Sequence, residues 1–190
     1  MRDQFNRNNL IAALWVAFFT FFIALLVSVG SQALVNAMHN VWIAMIFLLL
    51  IIALGIFFDI IGTAAAAATL APFNARAAKK ITGASQAVRI TKNASVVANY
   101  CNDVIGDIAG TLSGAIGAAI VFQLVDSFSA PDTVLSGAVM TSLIAALTVG
   151  GKAVGKSIAI ENANTIIFRV ALIMAWWEKL TGIEFFKGGR

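Results

Sequence analysis

Six residues able to carry polar chemistry stand where an apolar environment is expected: Asp59, Asn99, Asn102, Asp103, Asp107 and Lys152 all fall within or at the ends of long hydrophobic runs. A charged side chain at the centre of a bilayer costs about 2.5–3.5 kcal/mol even on the gentler insertion scales, so such groups face protein or water rather than lipid. Carboxylate and amide oxygens are the donors a hard cation such as Mg2+ prefers, and that ion tolerates partial hydration. Asp59, Asn99, Asn102, Asp103 and Asp107 are therefore candidate ligands of a cation. The competing reading needs no ion: Lys152 or Lys156 neutralises Asp103 or Asp107 in a structural ion pair inside the bundle, or one aspartate is protonated. Enzymatic chemistry has little support. The one cysteine, Cys101, and the one histidine, His39, lie far apart in sequence, with no nucleophile-and-base motif and no metal-cluster spacing around them.

The elements that must position these groups are membrane-spanning helices. The 190 residues are 60% hydrophobic and 12% charged, with a mean hydropathy of +0.90, far from the roughly 25% charged residues of soluble chains. Residues 10–29 form an apolar stretch of the roughly 20 residues that a hydrocarbon core requires. A signal peptide competes for this segment, but its apolar part exceeds the usual length of about 7–15, which favours a retained helix. A second run, 41–71, is interrupted only by Asp59 and is expected to end at Pro72, which cannot donate an interior helical hydrogen bond. A third covers about 96–125 and a fourth 133–150, joined by a Ser-Ala-Pro-Asp turn around Pro131. The expected architecture is all-α: a polytopic bundle of about four spanning helices followed by a juxtamembrane helix over 157–177. That last segment is polar in its first three turns and ends in Trp176 and Trp177, as suits a helix lying at the membrane surface. A fifth crossing is the alternative.

Charge sets the orientation. Arg76, Lys79, Lys80, Arg89 and Lys92 lie between the second and third runs without an intervening acid, whereas residues 31–40 carry no formal charge and 125–132 carry only Asp126 and Asp132. Cationic loops beside spanning helices stay in the cytoplasm. The N-terminus and the 76–92 connector are thus expected inside and 125–132 outside, in a cell membrane expected to be bacterial. The net charge of +4 suits anionic lipid and requires no nucleic acid. With that topology Asp59, Asp103, Asp107 and Lys152 share the cytoplasmic half of the bundle. At 100° per residue, Asn99, Asn102, Asp103, Gly106, Asp107, Gly110, Ser113, Gly114 and Gly117 occupy one arc of about 140°. Gly106, Gly110 and Gly114 within it have the four-residue spacing that admits a second helix at close range.

Three segments together resemble the transmembrane domain of the CNNM/CorC magnesium transporters. Residues Phe57-Phe58-Asp59-Ile60-Ile61-Gly62-Thr63-Ala64 are similar to that family's Phe-Phe-Ser-x-x-Glu-Thr-Ala helix end, and a basic connector follows in both. Cys101-Asn102-Asp103 occupies the place of its Gly-Asn-Asn. Residues Gly151 to Ala159, with Asn162-Ala163 after them, parallel Gly-Glu-x-x-Pro-Lys-Ser-Leu-Ala and its following Asn. The resemblance covers about residues 41–175. It implies a core over 41–156, an added N-terminal helix and external loop over 1–40, and a juxtamembrane helix and tail over 157–190. It further implies a homodimer or a membrane-protein partner, and a site for Mg2+ that includes Thr63. Two of the family's acidic positions are Gly62 and Lys152 here, its Pro is Gly155, and Asp59, Asp103 and Asp107 are acids the family pattern lacks. No CBS-type regulatory domain lies within these residues. The orientation is open to direct test: single cysteines placed between 76 and 92 in a Cys101-free background should resist an impermeant maleimide in intact cells, and their labelling would invert the assignment.

Overall fold

In a computed structural model, residues 2–37, 40–128 and 133–182 are described. His39, the turn around Pro131 and Asp132 fall outside them, as does the tail after Gly182. Every element among the described residues is helical: α1 (Arg2–Ala37), α2 (Val41–Ala67), α3 (Leu70–Ala78), α4 (Ala84–Lys92), α5 (Ala94–Ala98), α6 (Gly106–Phe128), α7 (Thr133–Glu161) and α8 (Ala163–Thr181). Between α5 and α6, residues Asn99–Ile105 continue the helix with the wider π winding. Three stretches are long and apolar enough to cross a membrane: Val41–Ala67, Ala94–Val125 and Thr133–Glu161, while the apolar segment Leu14–Gly30 of α1 is shorter. The protein is an all-helical membrane protein.

Three boundaries differ from those read in the sequence. The second helix stops at Ala67, and Pro72 lies inside α3. Had α2 continued, the Pro72 ring would have met the carbonyl of Ala68; with a new helix starting at Leu70, Pro72 occupies the first turn, where a backbone N–H has no intrahelical partner to lose. The fourth run does not end at Gly150. Helix α7 passes through Gly150, Gly151 and Gly155 to Glu161, so the juxtamembrane helix begins at Ala163 rather than at 157. The third run is one helical path from 94 to 128, with its π segment at the polar residues.

The chain divides into two compact units, Met1–Ile51 with Gly110–Ile144 and Ile52–Ala109 with Ala145–Arg190. In the first, Ala44, Leu48, Leu112, Ile116, Ile120, Val121 and Ile144 are buried. A Cβ on Gly117 would run into the Ile144 side chain and come within 3.2 Å of Met140 Cγ, so glycine permits the approach of α6 to α7 there. The α1 side chains Trp15, Phe18, Phe19 and Phe22 stack on one another along the helix yet remain exposed. Apolar groups left uncovered along such a helix match a lipid environment.

The second unit gathers α3, α4 and α8 beside the ends of α2 and α7. Its core contains Ala64 and Ala65 of α2, Phe73 of α3, Ala87 and Ile90 of α4, Ala159 of α7, and Ala163, Ile167 and Ala171 of α8. The last three recur every four residues and mark the buried face of α8. Ile173, Trp176 and Leu180 stay exposed, and α8 is not among the helices apolar enough to span. Polar ties fix this unit. Asn164 Oδ1 accepts from Thr69 N–H at 2.9 Å and its Nδ2 donates to Thr69 Oγ1 at 3.2 Å, which holds the start of α3 against the start of α8. Arg76 lies over the Phe168 ring at 4.4 Å from its centroid. Gly83, at φ +82°, caps α4, and a Cβ there would meet Leu172 Cδ2 at 2.9 Å, so both conformation and space select glycine.

The connector cation Arg89 is spent inside this unit. Its Nη2 donates to Glu178 Oε1 at 2.8 Å and Oε2 at 2.6 Å, and Gln86 Nε2 donates to Oε2 at 2.9 Å. The two charged side chains are only 16% and 10% exposed. Truncating one partner strands the other, so Arg89→Ala or Glu178→Ala should cost about 2–4 kcal/mol. The double Ala variant should cost less than the sum. Melting curves of the detergent-solubilised protein in a double-mutant cycle would measure this, and strictly additive losses would remove the pair from the account.

Candidate functional site

The polar centre is built on a close approach of α7 to α2. Gly151 and Gly155 stand one turn apart on α7. A Cβ at Gly151 would strike Ile56 Cδ1, and one at Gly155 would lie 2.8 Å from Ile60 Cγ1. This is the small-xxx-small spacing at work, and it brings Lys152 to the side of α2 that carries Asp59. Lys152 Nζ lies 3.7 Å from Asp59 Oδ1. The Asp59 side chain is 5% exposed and that of Lys152 23% exposed. Lys152 thus pairs with Asp59 of α2. Lys156, one turn further along α7, is exposed.

A third wall comes from the π-wound segment. Its wider turn breaks the 100° register across Asn99–Ile105, and such bulges recur at functional sites. The single polar arc of the sequence reading divides accordingly. Asn102 is half-buried and Gly106 buried, whereas Asn99, Asp103 and Asp107 are exposed. The Asn102 carboxamide occupies the space above Gly62: a Cβ on Gly62 would overlap Asn102 Oδ1 and lie 3.0 Å from Cys101 Cβ. Gly62 is therefore the position that admits Asn102. Gly106 completes the wall, its hypothetical Cβ 3.4 Å from both Lys152 Nζ and the Cys101 carbonyl oxygen. Gly55 likewise faces Ala109 Cβ at 2.9 Å.

Two oxygens in this centre are left over. Asp59 Oδ2 and Asn102 Oδ1 are buried and have no hydrogen-bond partner. A buried acceptor without a donor carries a desolvation cost of about 1–3 kcal/mol, more if charged. Asp59 and Gly62 lie three residues apart on one face of α2, so the two orphaned oxygens and the Lys152 ammonium belong to one neighbourhood. Its donors are all oxygens, with a lysine as the resident positive charge. Among the described residues, no group of three or more His, Cys, Asp or Glu side chains could hold a metal ion.

Of the residues singled out in the sequence, then, Asp59, Asn102, Gly106 and Lys152 share one centre. Thr63, next to Gly62, is half-buried, and Asn99, Asp103, Asp107 and Lys156 are turned to the outside of this chain. Of the three glycines of the expected packing stripe, only Gly106 has close neighbours; a Cβ at Gly110 or Gly114 would meet nothing within 4 Å. Within this chain a further close approach lies at Gly151 and Gly155, a Gly-x-x-x-Gly in plain view in the sequence. No protein-family model, no curated protein and no solved structure matches the chain.

Steric logic separates the two sets of glycines experimentally. Gly62→Val should displace the Asn102 side chain and lower stability by about 1–3 kcal/mol, whereas Gly110→Ala, with open space around it, should leave the melting temperature unchanged. Equal effects of the two substitutions would contradict the placement of Asn102 over Gly62.

Proposed function

We propose that this chain is an integral membrane protein of the CNNM/CorC type that binds or moves a cation, with Mg2+ the leading candidate, at the centre formed by Asp59, Asn102 and Lys152. The observation that carries the reading is the pair of buried oxygens, Asp59 Oδ2 and Asn102 Oδ1, left without donors beside a π-wound turn. One carboxylate with neutral oxygens and retained water is within the usual range for Mg2+, which seldom has an all-protein cage. The ion is substrate here rather than a resident cofactor. Lys152 acts as a tethered stand-in: with its ammonium 3.7 Å from Asp59, it must swing aside before a divalent ion can enter, since two like charges repel strongly at that range. This couples occupancy of the site to a movement of Lys152 relative to α2. Asp103 and Asp107, exposed on the same helical path, form the approach to the site or the face that meets a second copy in a homodimer. The bilayer is the remaining partner, with the N-terminus and connector on the cytoplasmic side.

A second reading is favoured by the same ion pair: a transport-inactive scaffold or accessory subunit in which Lys152 permanently closes the acidic centre. Lys152→Gln separates the two. On the cation reading it frees Asp59 and should raise Mg2+-dependent thermal stabilisation and proteoliposome flux, with affinity gaining about tenfold or about 1.4 kcal/mol. Asp59→Asn should abolish both, and Asp103→Asn or Asp107→Asn should do less. On the scaffold reading Lys152→Gln simply strands a buried carboxylate at a cost of about 3–5 kcal/mol. Absence of flux and of ion-dependent stabilisation across Mg2+, Mn2+, Co2+ and Na+, in both the parent and Lys152→Gln, would sink the cation reading.

A further inference from the structure

The second unit also carries, apart from the polar centre, a partly open pocket of about 470 Å3 lined by two arginines from different helices. Arg76 comes from the last turn of α3. Thr165, Phe168, Arg169 and Leu172 come from α8, where their spacing of i, i+3, i+4 and i+7 puts them on one face, and Ile81 of the connector completes the lining. Contacts already described hold these walls together. The Thr69–Asn164 clasp ties the start of α3 to the residue before Thr165, and Gly83 seats the connector against Leu172. The Arg76 guanidinium lies over the Phe168 ring at 4.4 Å, which positions the cation without supplying a counter-charge or a conventional hydrogen-bond acceptor.

Neither arginine has an acid. Among the described residues Arg76 and Arg169 make no ion pair or hydrogen bond, and no acidic side chain lines the pocket. Glu178 is taken by Arg89 and Gln86, and Glu161 is directed to Ser157 on its own helix at 3.5 Å. Two guanidinium groups at one pocket repel each other until an anion enters. Each presents a planar fork of donors that matches carboxylate or phosphate oxygens. A carboxylate offers a single two-oxygen edge, whereas the three free oxygens of a phosphomonoester meet two forks from different directions and also accept from the Thr165 hydroxyl, which has no hydrogen bond of its own among the described residues. Two of the membrane-length stretches, Val41–Ala67 and Thr133–Glu161, end shortly before Arg76 and Thr165 in the chain, which places the pocket at the ends of the spans, the level of lipid headgroups. We propose that Arg76, Arg169 and Thr165 bind a phosphomonoester group, carried by a lipid headgroup at that level or by a small soluble phosphate. The site is independent of cation transport.

The two sources are told apart by titrating the full-length, delipidated protein in detergent. Dioleoylphosphatidic acid, dioleoylphosphatidylglycerol and dioleoylphosphatidylcholine are added in mixed micelles and their binding read by native mass spectrometry; glycerol 3-phosphate, the headgroup of the first without its chains, is titrated by calorimetry. Phosphatidic acid should bind more tightly than phosphatidylglycerol, whose phosphodiester has only two free oxygens, and phosphatidylcholine should bind least. Arg169→Gln should weaken the phosphomonoester by about tenfold. Lys92→Gln removes the same charge from an exposed position outside the pocket and should leave the affinity within about twofold. Arg76→Gln should match Arg169→Gln; should loss of its ring contact prevent folding, Arg169, which is exposed and makes no such contact, decides the matter alone. Arg169-dependent binding of phosphatidic acid without binding of glycerol 3-phosphate assigns the site to lipid, and Arg169-dependent binding of glycerol 3-phosphate assigns it to a soluble phosphate. Equal affinity of parent and Arg169→Gln, equal losses in Arg169→Gln and Lys92→Gln, phosphatidylglycerol bound as tightly as phosphatidic acid, or no saturable binding of any probe would each overturn the proposal.

Discussion

A carboxylate on a helix as apolar as α2 has to be met by protein, and the architecture of the second unit follows from meeting Asp59. Covering it requires a neighbouring helix close enough to exclude lipid and a counter-charge that reaches the same depth. Gly151 and Gly155 supply the first by allowing α7 against Ile56 and Ile60, and Lys152, between them in sequence, supplies the second. The π winding at Asn99–Ile105 adds a carboxamide through the gap that Gly62 leaves. Each of these features would be a defect alone: glycines in a helix interior, a lysine in an apolar run, a widened turn. Together they form one consistent solution to a buried charge, though one that leaves two oxygens without donors.

The second unit is held by a different kind of bond at its α4–α8 side. There the Arg89–Glu178 fork and the Thr69–Asn164 clasp tie segments about 90 residues apart in sequence. The interior between them is built largely of alanine, as at Ala87, Ala163 and Ala171, so the backbones approach closely and directional polar contacts set the register. Alanine contributes little apolar area per residue, which raises the relative weight of the charged fork.

Much of this was legible in the sequence, and the failures have physical causes. Hydropathy and helix-length arithmetic revealed an all-helical membrane protein, and the cost of intramembrane charge drew attention to Asp59, Asn102 and Lys152. The helix ends were misplaced because local signals were given the wrong scope. Pro72 reads as a stop, although a proline in a first turn also suits a new helix, and Gly150 reads as an end, although α7 runs on past it to the contact glycines Gly151 and Gly155. The polar arc on 99–117 assumed a constant 100° per residue, which a π turn violates, and nothing in the residue types announced that winding. The pairing of Glu178 with Arg89 joins positions 89 residues apart and has no local signature.

An apolar groove of about 680 Å3 between α2, the π-wound segment and α8 has walls in common with the polar centre. Phe58 lines the groove while its neighbour Asp59 lies in the polar centre. Cys101 lines the groove while its neighbour Asn102 sits over Gly62. On both α2 and the π-wound segment, consecutive residues thus serve opposite sides of a partition one helix thick. A displacement of either backbone segment therefore reaches both sides of this partition. The wider π turn, whose register differs from the α-helices on either side, lies in this shared wall. Packed interiors transmit displacement because they have few voids to absorb it.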